Sequence, residues 1–230
     1  APWPEDPAEF YPRLRRASPA PYACFVRLGD TAVLSASPEC FLRIDGRRIM
    51  TRPIKGTRPR GAEDAAVIEE LLASEKERAE LIMITDLERN DLGQVCEFGS
   101  VRVTALCQLQ SFAQVHHLVS EIEGKLRPEV TPVQAVRACY PGGSITGAPK
   151  KRAREIIAEL EPTPRGIYTG AIGFFRRDGS AVFNIAIRTL VVRDGRATYG
   201  VGAGLVADSD PASEYKETLD KAAGLFAALS

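Results

Sequence analysis

The sequence lacks an excess of either charge: thirty lysines and arginines balance thirty aspartates and glutamates. A neutral chain exerts no bulk pull on nucleic acid or an anionic membrane, so any anion it binds must be gripped by a local cluster. It also lacks an apolar run near the roughly 20 residues needed to span a bilayer. The opening Ala1-Pro2-Trp3-Pro4-Glu5 is acidic and proline-rich, unlike a signal peptide, and there is no initiator methionine, so a fragment or processed chain is expected. Cysteine is scarce, and Cys24, Cys40, Cys96, Cys107 and Cys139 form no C-x-x-C pair, which argues against a zinc site or a disulfide framework. They read as small core residues of a reduced, cytoplasmic protein. Repeats, low-complexity tracts and linkers are absent. What is present is 44% hydrophobic residues and nineteen glycines in 230 residues, enough for one substantial core, and a single domain over 1–230 is expected.

Short apolar runs separated by turn dipeptides predict a β-meander over 22–52: Tyr22–Leu28, Thr31–Ala36, Cys40–Ile44 and Arg47–Thr51. Helix follows from Gly61 to about Asp91, with Ser74 and Glu77 spaced as a capping box for its second half. Strands are expected near 101–106 and 115–122, then a helix over Thr131–Cys139 with proline in its first turn. A Gly/Ser/Thr loop over 141–147 leads into a helix from Pro149 to Leu160. Strands over 168–176, 181–193 and 196–203 precede a final amphipathic helix that starts at Asp210-Pro211 and runs close to Ser230. Strands, helices, strands and helix in that order favour an α+β fold over a βαβ array.

Several groups of residues carry chemistry. Glu77 and Glu80, and again Glu214 and Glu217, lie three apart, so each pair presents two carboxylates on one helix face. Converging pairs would need a cation, and all-oxygen ligands suit Mg²⁺. The plainer readings also stand: Glu77 as a cap, and Glu217 with Lys221 as an ordinary surface pair. Pro141-Gly-Gly-Ser-Ile-Thr-Gly-Ala-Pro-Lys150 runs glycine-rich backbone into a helix start, either an anion cradle or a plain turn, and lacks P-loop spacing. Lys55, between Ile54 and Gly56 at a strand end, is either a nucleophile or a solvated loop lysine. Strand alternation turns one of His116 and His117 inward, as an orienting group or a satisfied core histidine. Arg188 interrupts an apolar strand and needs a carboxylate partner if it faces inward.

Taken together and in order, Ser37-Pro-Glu39, Pro53-Ile-Lys-Gly-Thr57, Asp86-Leu-Glu-Arg-Asn-Asp91, His117-Leu-Val-Ser120, Gly142–Lys150, Ile187-Arg-Thr189, Gly202-Ala-Gly204 and Glu214-x-x-Glu217 resemble the chorismate-utilising enzymes. The match covers residues from about 22 to 227. It implies an α+β fold of antiparallel, sandwich-like sheets flanked by helices, lacking the N-terminal segment that relatives carry. Within the family Lys55 points to aminodeoxychorismate synthase component I, because anthranilate synthases typically have alanine there. The resemblance implies that Lys55 adds to C2 of chorismate while Glu39 protonates the departing C4 hydroxyl, and that ammonia then enters at C4 and expels the lysine. It implies Glu80 and Glu217 as direct Mg²⁺ ligands, with Glu77 and Glu214 supporting through water. Tyr168, Arg188, Ser144, Lys221, Thr57 and the amides of Gly202, Ala203 and Gly204 are implied as substrate contacts, and His117 as the active-site histidine. A class I glutamine amidotransferase subunit is the implied source of ammonia. The rival readings are an anthranilate synthase component I, aminating at C2 with loss of pyruvate, and a non-catalytic chorismate-binding remnant.

Overall fold

The computed structural model describes residues 1–230 except 62, 113, 114, 208 and 230. The chain begins with α1 (Pro7–Ala17), β1 (Cys24–Leu28), β2 (Thr31–Ser35), β3 (Cys40–Asp45), β4 (Arg48–Arg52) and β5 (Ile54–Pro59). Next come α2 (Asp64–Ala73), α3 (Glu75–Gly93), β6 (Arg102–Ser111), β7 (Val115–Lys125), α4 (Pro132–Cys139), α5 (Gly143–Thr146) and α6 (Lys150–Leu160). It ends with β8 (Ala171–Phe175), β9 (Ala181–Ile185), β10 (Thr189–Arg193), β11 (Arg196–Tyr199) and α7 (Pro211–Leu229). The content is mixed helix and antiparallel sheet, as the α+β expectation requires. Among the described residues no helix is long and apolar enough to cross a membrane.

These elements form two compact units, each assembled from non-contiguous stretches, which is why no linker is visible in the sequence. The first comprises Ala1–Pro38, Thr163–Ala171 and Ile185–Ser230. Its four-stranded antiparallel sheet runs β1-β2-β10-β11. Phe10 and Leu14, one turn apart on α1, join Leu34, Leu190, Leu225 and Ala228 in its core. Asp6 caps α1 by accepting a hydrogen bond from the Ala8 amide at 2.9 Å.

The second unit comprises Glu39–Pro162 and Ile172–Asn184. Its seven-stranded sheet is built around β7, which has β6 along one side and β4 and β5 end to end along the other, followed outward by β3, β9 and β8. Helix α3 packs on β6 and β7. Its buried stripe is Leu81, Ile84, Thr85, Glu88, Asp91 and Leu92, helical in period but carrying two carboxylates where an apolar side chain is usual. All five cysteines are free, and all but Cys24 are buried.

Four local expectations are corrected. The strands of 22–52 are two hairpins in two different sheets rather than one meander, because the chain leaves the ladder over 36–39, where Pro38 has no N–H to donate. Residues after Pro53 form a further strand, β5, so Lys55 lies within a strand rather than at its end. The run 181–193 is broken at Arg188, whose φ is +49°, and β9 and β10 belong to separate sheets. The second helix starts after Ser74 as its spacing suggests, the Ser74 side chain accepting from the Glu77 amide at 3.4 Å, but the reciprocal half of the expected box is not made, because the Glu77 carboxylate turns to Arg58.

Candidate active site

In the second unit, Gly56 is an extra residue in the β5–β7 ladder: Lys55 pairs with Leu118 and Thr57 with His117. Its φ of +67° is the left-handed conformation that a glycine bulge requires. A Cβ there would lie 2.6 Å from Leu71 Cδ1 and 3.0 Å from Glu77 Oε2. The bulge therefore brings β5 hard against α2 and α3, and Lys55 Nζ meets Glu80 Oε2 at 3.0 Å, with the lysine side chain 20% exposed. This is not a solvated loop lysine.

His117 is held by the same bulge. Its Nδ1 lies 3.1 Å from the Gly56 carbonyl and 3.0 Å from Thr57 Oγ1. A carbonyl only accepts, so Nδ1 carries a proton and donates it there. Phe112 packs edge-on to the ring. The expectation that one histidine faces solvent fails, because both are buried. β7 is an interior strand, and His116 has its own partners, Ser111 Oγ at 2.8 Å and Asp64 at 3.2 Å.

Glu77 Oε1 pairs with Arg58 Nη1 at 3.0 Å, and Glu77 Oε2 is buried without a hydrogen bond. Ser144, on the single turn α5, likewise has a buried hydroxyl without a partner. The glycine-rich stretch was expected as an open loop, yet 143–146 is helical, and a Cβ on Gly143 would sit 2.8 Å from Leu87 Cδ2. Close packing on α3 explains that glycine.

Glu39 is buried. The same unit holds buried residues the sequence reading missed. Thr51 Oγ1 donates to Glu88 Oε2 at 2.7 Å, and Asp91 pairs with Lys150, whose amine also donates to the Cys139 carbonyl at 2.8 Å. Burial, then the Glu39 charge, pushes the Glu88 carboxyl up to about 8, although the Thr51 hydrogen bond pulls it down. Burial also raises Asp91, against the pull of Lys150. The usable signal was the α3 stripe, whose spacing places positions 88 and 91 inside.

This has a consequence for stability. The folded state keeps the Glu88 proton to about pH 8, whereas an ordinary glutamate releases it near 4.5. Between those values the folded chain binds more protons than the unfolded one, so stability falls as pH rises. The contribution is complete below the lower value and lost above the upper one, on the order of 3–5 kcal/mol at most. Urea midpoints measured from about pH 5 to about pH 8 are expected to fall more steeply for the native chain than for Glu88→Gln.

In the first unit, Tyr168 lies flat on Gly200, where a Cβ would come within 2.4 Å of its ring, and its hydroxyl reaches Gly202. Lys221 Nζ donates to the Gly202 carbonyl at 3.0 Å and pairs with Glu217 Oε1 at 2.5 Å, tying the stretch containing Gly202, Ala203 and Gly204 to α7. Glu214 is buried and accepts from Ser209 Oγ at 2.6 Å. Thr169 and Arg188 both have positive φ, at 63° and 49°, next to these residues in the chain or the sheet. Such strain gathers where side chains must be aimed. Tyr199 is pushed up to about 12 by burial, with the Arg188 charge opposing.

Each glutamate pair is thus presented on one helix face within its own unit. Among the described residues, no three His, Cys, Asp or Glu side chains group to hold a metal. The donor set suits magnesium, which usually takes one or two carboxylates and completes its shell with water and substrate, and Glu77 Oε2 makes no hydrogen bond that would compete with that role.

The family model for chorismate binding enzymes matches residues 1–227. An aminodeoxychorismate synthase of Streptomyces griseus is 54% identical over 94% of this chain, and an anthranilate synthase component 1 of Haloarcula marismortui is 50% identical over 97% of it. The chain spans 30% and 45% of those two proteins. The crystal structure of anthranilate synthase component I from Streptococcus pneumoniae superposes with a TM-score of 0.88 at 41% identity, covering 96% of this chain and 50% of that one. The chain belongs to the chorismate binding enzyme family.

Proposed function

We propose that this chain is the chorismate-binding catalytic part of an aminodeoxychorismate synthase, which replaces the C4 hydroxyl of chorismate with an amino group on the way to p-aminobenzoate and folate. The observation that carries the reading is the Lys55 amine, largely enclosed, set on a bulged strand and held at 3.0 Å by Glu80. Similarity to the Streptomyces aminodeoxychorismate synthases supports it. Once its ion pair opens and it loses a proton, Lys55 attacks C2, the ring double bonds shift, and the C4–O bond breaks. The departing hydroxyl takes the Glu39 proton and leaves as water. Ammonia then attacks C4, the double bonds shift back, and Lys55 is expelled as the free amine. The surplus proton on the new C4 nitrogen returns to Glu39. Arg188, Lys221, Ser144 and Thr57, with the amides of 202–204 and the Tyr168 hydroxyl, bind the carboxylates and ring, and His117 is the proposed active-site histidine. A class I glutamine amidotransferase subunit supplies ammonia in the cell.

A bound Mg²⁺ would neutralise carboxylate charge and orient a substrate carboxylate. Glu80 and Glu217 are the proposed ligands, with Glu77 and Glu214 behind them. Chelation with EDTA is expected to stop turnover reversibly, and Glu80→Gln to raise the Mg²⁺ concentration for half-maximal rate by about 10–100-fold. An unchanged Mg²⁺ requirement in that variant would remove Glu80 from the ligand set.

The similarity to anthranilate synthases favours a second reading, amination at C2 with loss of pyruvate. Incubation with chorismate, Mg²⁺ and an ammonium salt, with products identified by mass, separates the two. A 4-amino-4-deoxychorismate product is expected; anthranilate would establish the second reading, and binding without turnover a non-catalytic remnant.

A further inference from the structure

The covalent role given to Lys55 needs a free amine, yet that amine is engaged. Its Nζ lies 3.0 Å from Glu80 Oε2, and the two side chains are only 20% and 13% exposed. The Gly56 bulge presses β5 against the helices, so the backbone sets the pair rather than a casual meeting of two long side chains. Arg58, the next cation along β5, is committed to Glu70 and Glu77 at 3.0 Å each, so Glu80 takes its positive charge from Lys55. The first unit repeats the arrangement within itself. There Glu217 Oε1 meets Lys221 Nζ at 2.5 Å, and that amine also donates to the Gly202 carbonyl. The two carboxylates proposed as direct Mg²⁺ ligands thus each hold a lysine that the proposed chemistry needs for another task.

We propose that Lys55 is a built-in competitor of the divalent cation at Glu80, so that a cation binding there displaces the ammonium and frees the lysine from its pair. A magnesium ion sits about 2.0–2.1 Å from each ligand oxygen. An ammonium kept at 3.0 Å from the same oxygen would gather three positive charges on one largely enclosed carboxylate. Like charges that close repel strongly where water is scarce, so one cation leaves as the other arrives. The exchange transfers no proton and breaks no covalent bond, because the lysine leaves as the ammonium it is in the pair. The coupling is reciprocal: by whatever factor the ion pair weakens cation binding, the bound cation weakens the ion pair. Loading the site therefore unlocks the nucleophile, and an unloaded site keeps it sequestered. The competition rests on the ligand role proposed for Glu80, and its meaning for catalysis rests on the amination reading.

Mn²⁺ takes the same oxygen ligands and is the probe; its binding to the protein without chorismate is read from the loss of the free-ion paramagnetic signal. Lys55→Met keeps the length of the side chain without its charge. It should bind Mn²⁺ about fivefold or more tightly than the wild type, because no fraction of Glu80 is then held back in the pair. Lys55→Arg keeps a competing cation and should stay within about twofold of the wild type. Repulsion through space would also tighten binding in Lys55→Met, and a double-mutant cycle separates the two. In a Glu80→Gln background, Lys55→Met should change the affinity by less than about twofold. Equal tightening in both backgrounds, equal affinity in Lys55→Met and the wild type, or Mn²⁺ binding in neither overturns the proposal. If Lys55→Met does not fold, acetylation of the wild type by a water-soluble active ester decides. Peptide masses should show Lys55 modified several-fold faster with Mn²⁺ than without, and Lys125, exposed and paired with Glu97, modified at one rate in both. An unchanged Lys55 rate overturns the proposal. The expected affinities without formation of 4-amino-4-deoxychorismate would sink the amination reading and leave the competition standing.

Discussion

Lys55→Ala is expected to lower formation of 4-amino-4-deoxychorismate by about a thousandfold or more, because removing a covalent nucleophile removes the whole two-step route rather than one contact. The substitution also frees Glu80, so a second variant is needed to separate charge from nucleophilicity. Lys55→Arg keeps a cation within reach of Glu80 but offers no attacking amine at neutral pH, and it should be almost as inactive. Product analysis by mass after incubation with chorismate, Mg²⁺ and ammonium salt checks both. Turnover of more than a tenth of the wild-type rate in Lys55→Ala would refute the covalent role. Recovery in Lys55→Arg would show that the residue serves as a charge.

Gly56→Ala is the second large effect, and it acts through structure. The new methyl would have to enter at a φ of +67° and within 2.6 Å of Leu71 Cδ1. Left-handed strain and overpacking each cost roughly 1–3 kcal/mol, so a combined loss of about 2–6 kcal/mol is expected in urea unfolding. Activity should fall further than stability, since the same bulge sets the ion pair of Lys55 and supplies the carbonyl that holds His117. A placement of 1 Å too far is enough to cost about a hundredfold. Leu71→Ala in the Gly56→Ala background offers the methyl room, and partial recovery of kcat would locate the clash. An alanine variant with wild-type stability would mean that the bulge is not under the constraint described.

The elements whose periodicity is local were legible. The last strand, the closing helix and the proline-started α4 all lie within a few residues of their expected places. Partnership between sheets was not legible. Nothing in the apolar run 181–193 says that one half pairs with β3 and the other with β2, because that is decided by ladders to residues far away in sequence. Of the candidate site, position and spacing pointed to Lys55, the histidine pair and the two glutamate pairs, and Glu39 came only from the family resemblance. It hid Glu88 and Thr51, because a single buried carboxylate on a helix and a threonine on a strand carry no spacing signature of their own. Helical period alone would have put Glu88 inside, and asking what it meets there would have led to Thr51. Arg58 was missed for a related reason: the grip on Glu77 comes from a strand that was itself not foreseen.

The interleaving of the two units sets an order of synthesis. The second unit is built from residues up to Asn184, so all its strands have been made before residues 185–229 are translated. The first unit has its opening hairpin early, but β2 must wait for β10, and α1 for α7, until residues 189–229 emerge. Until then the apolar faces of Phe10, Leu14 and Leu34 lack their native cover, and a chain stalled or clipped after Asn184 would display them to chaperones and proteases.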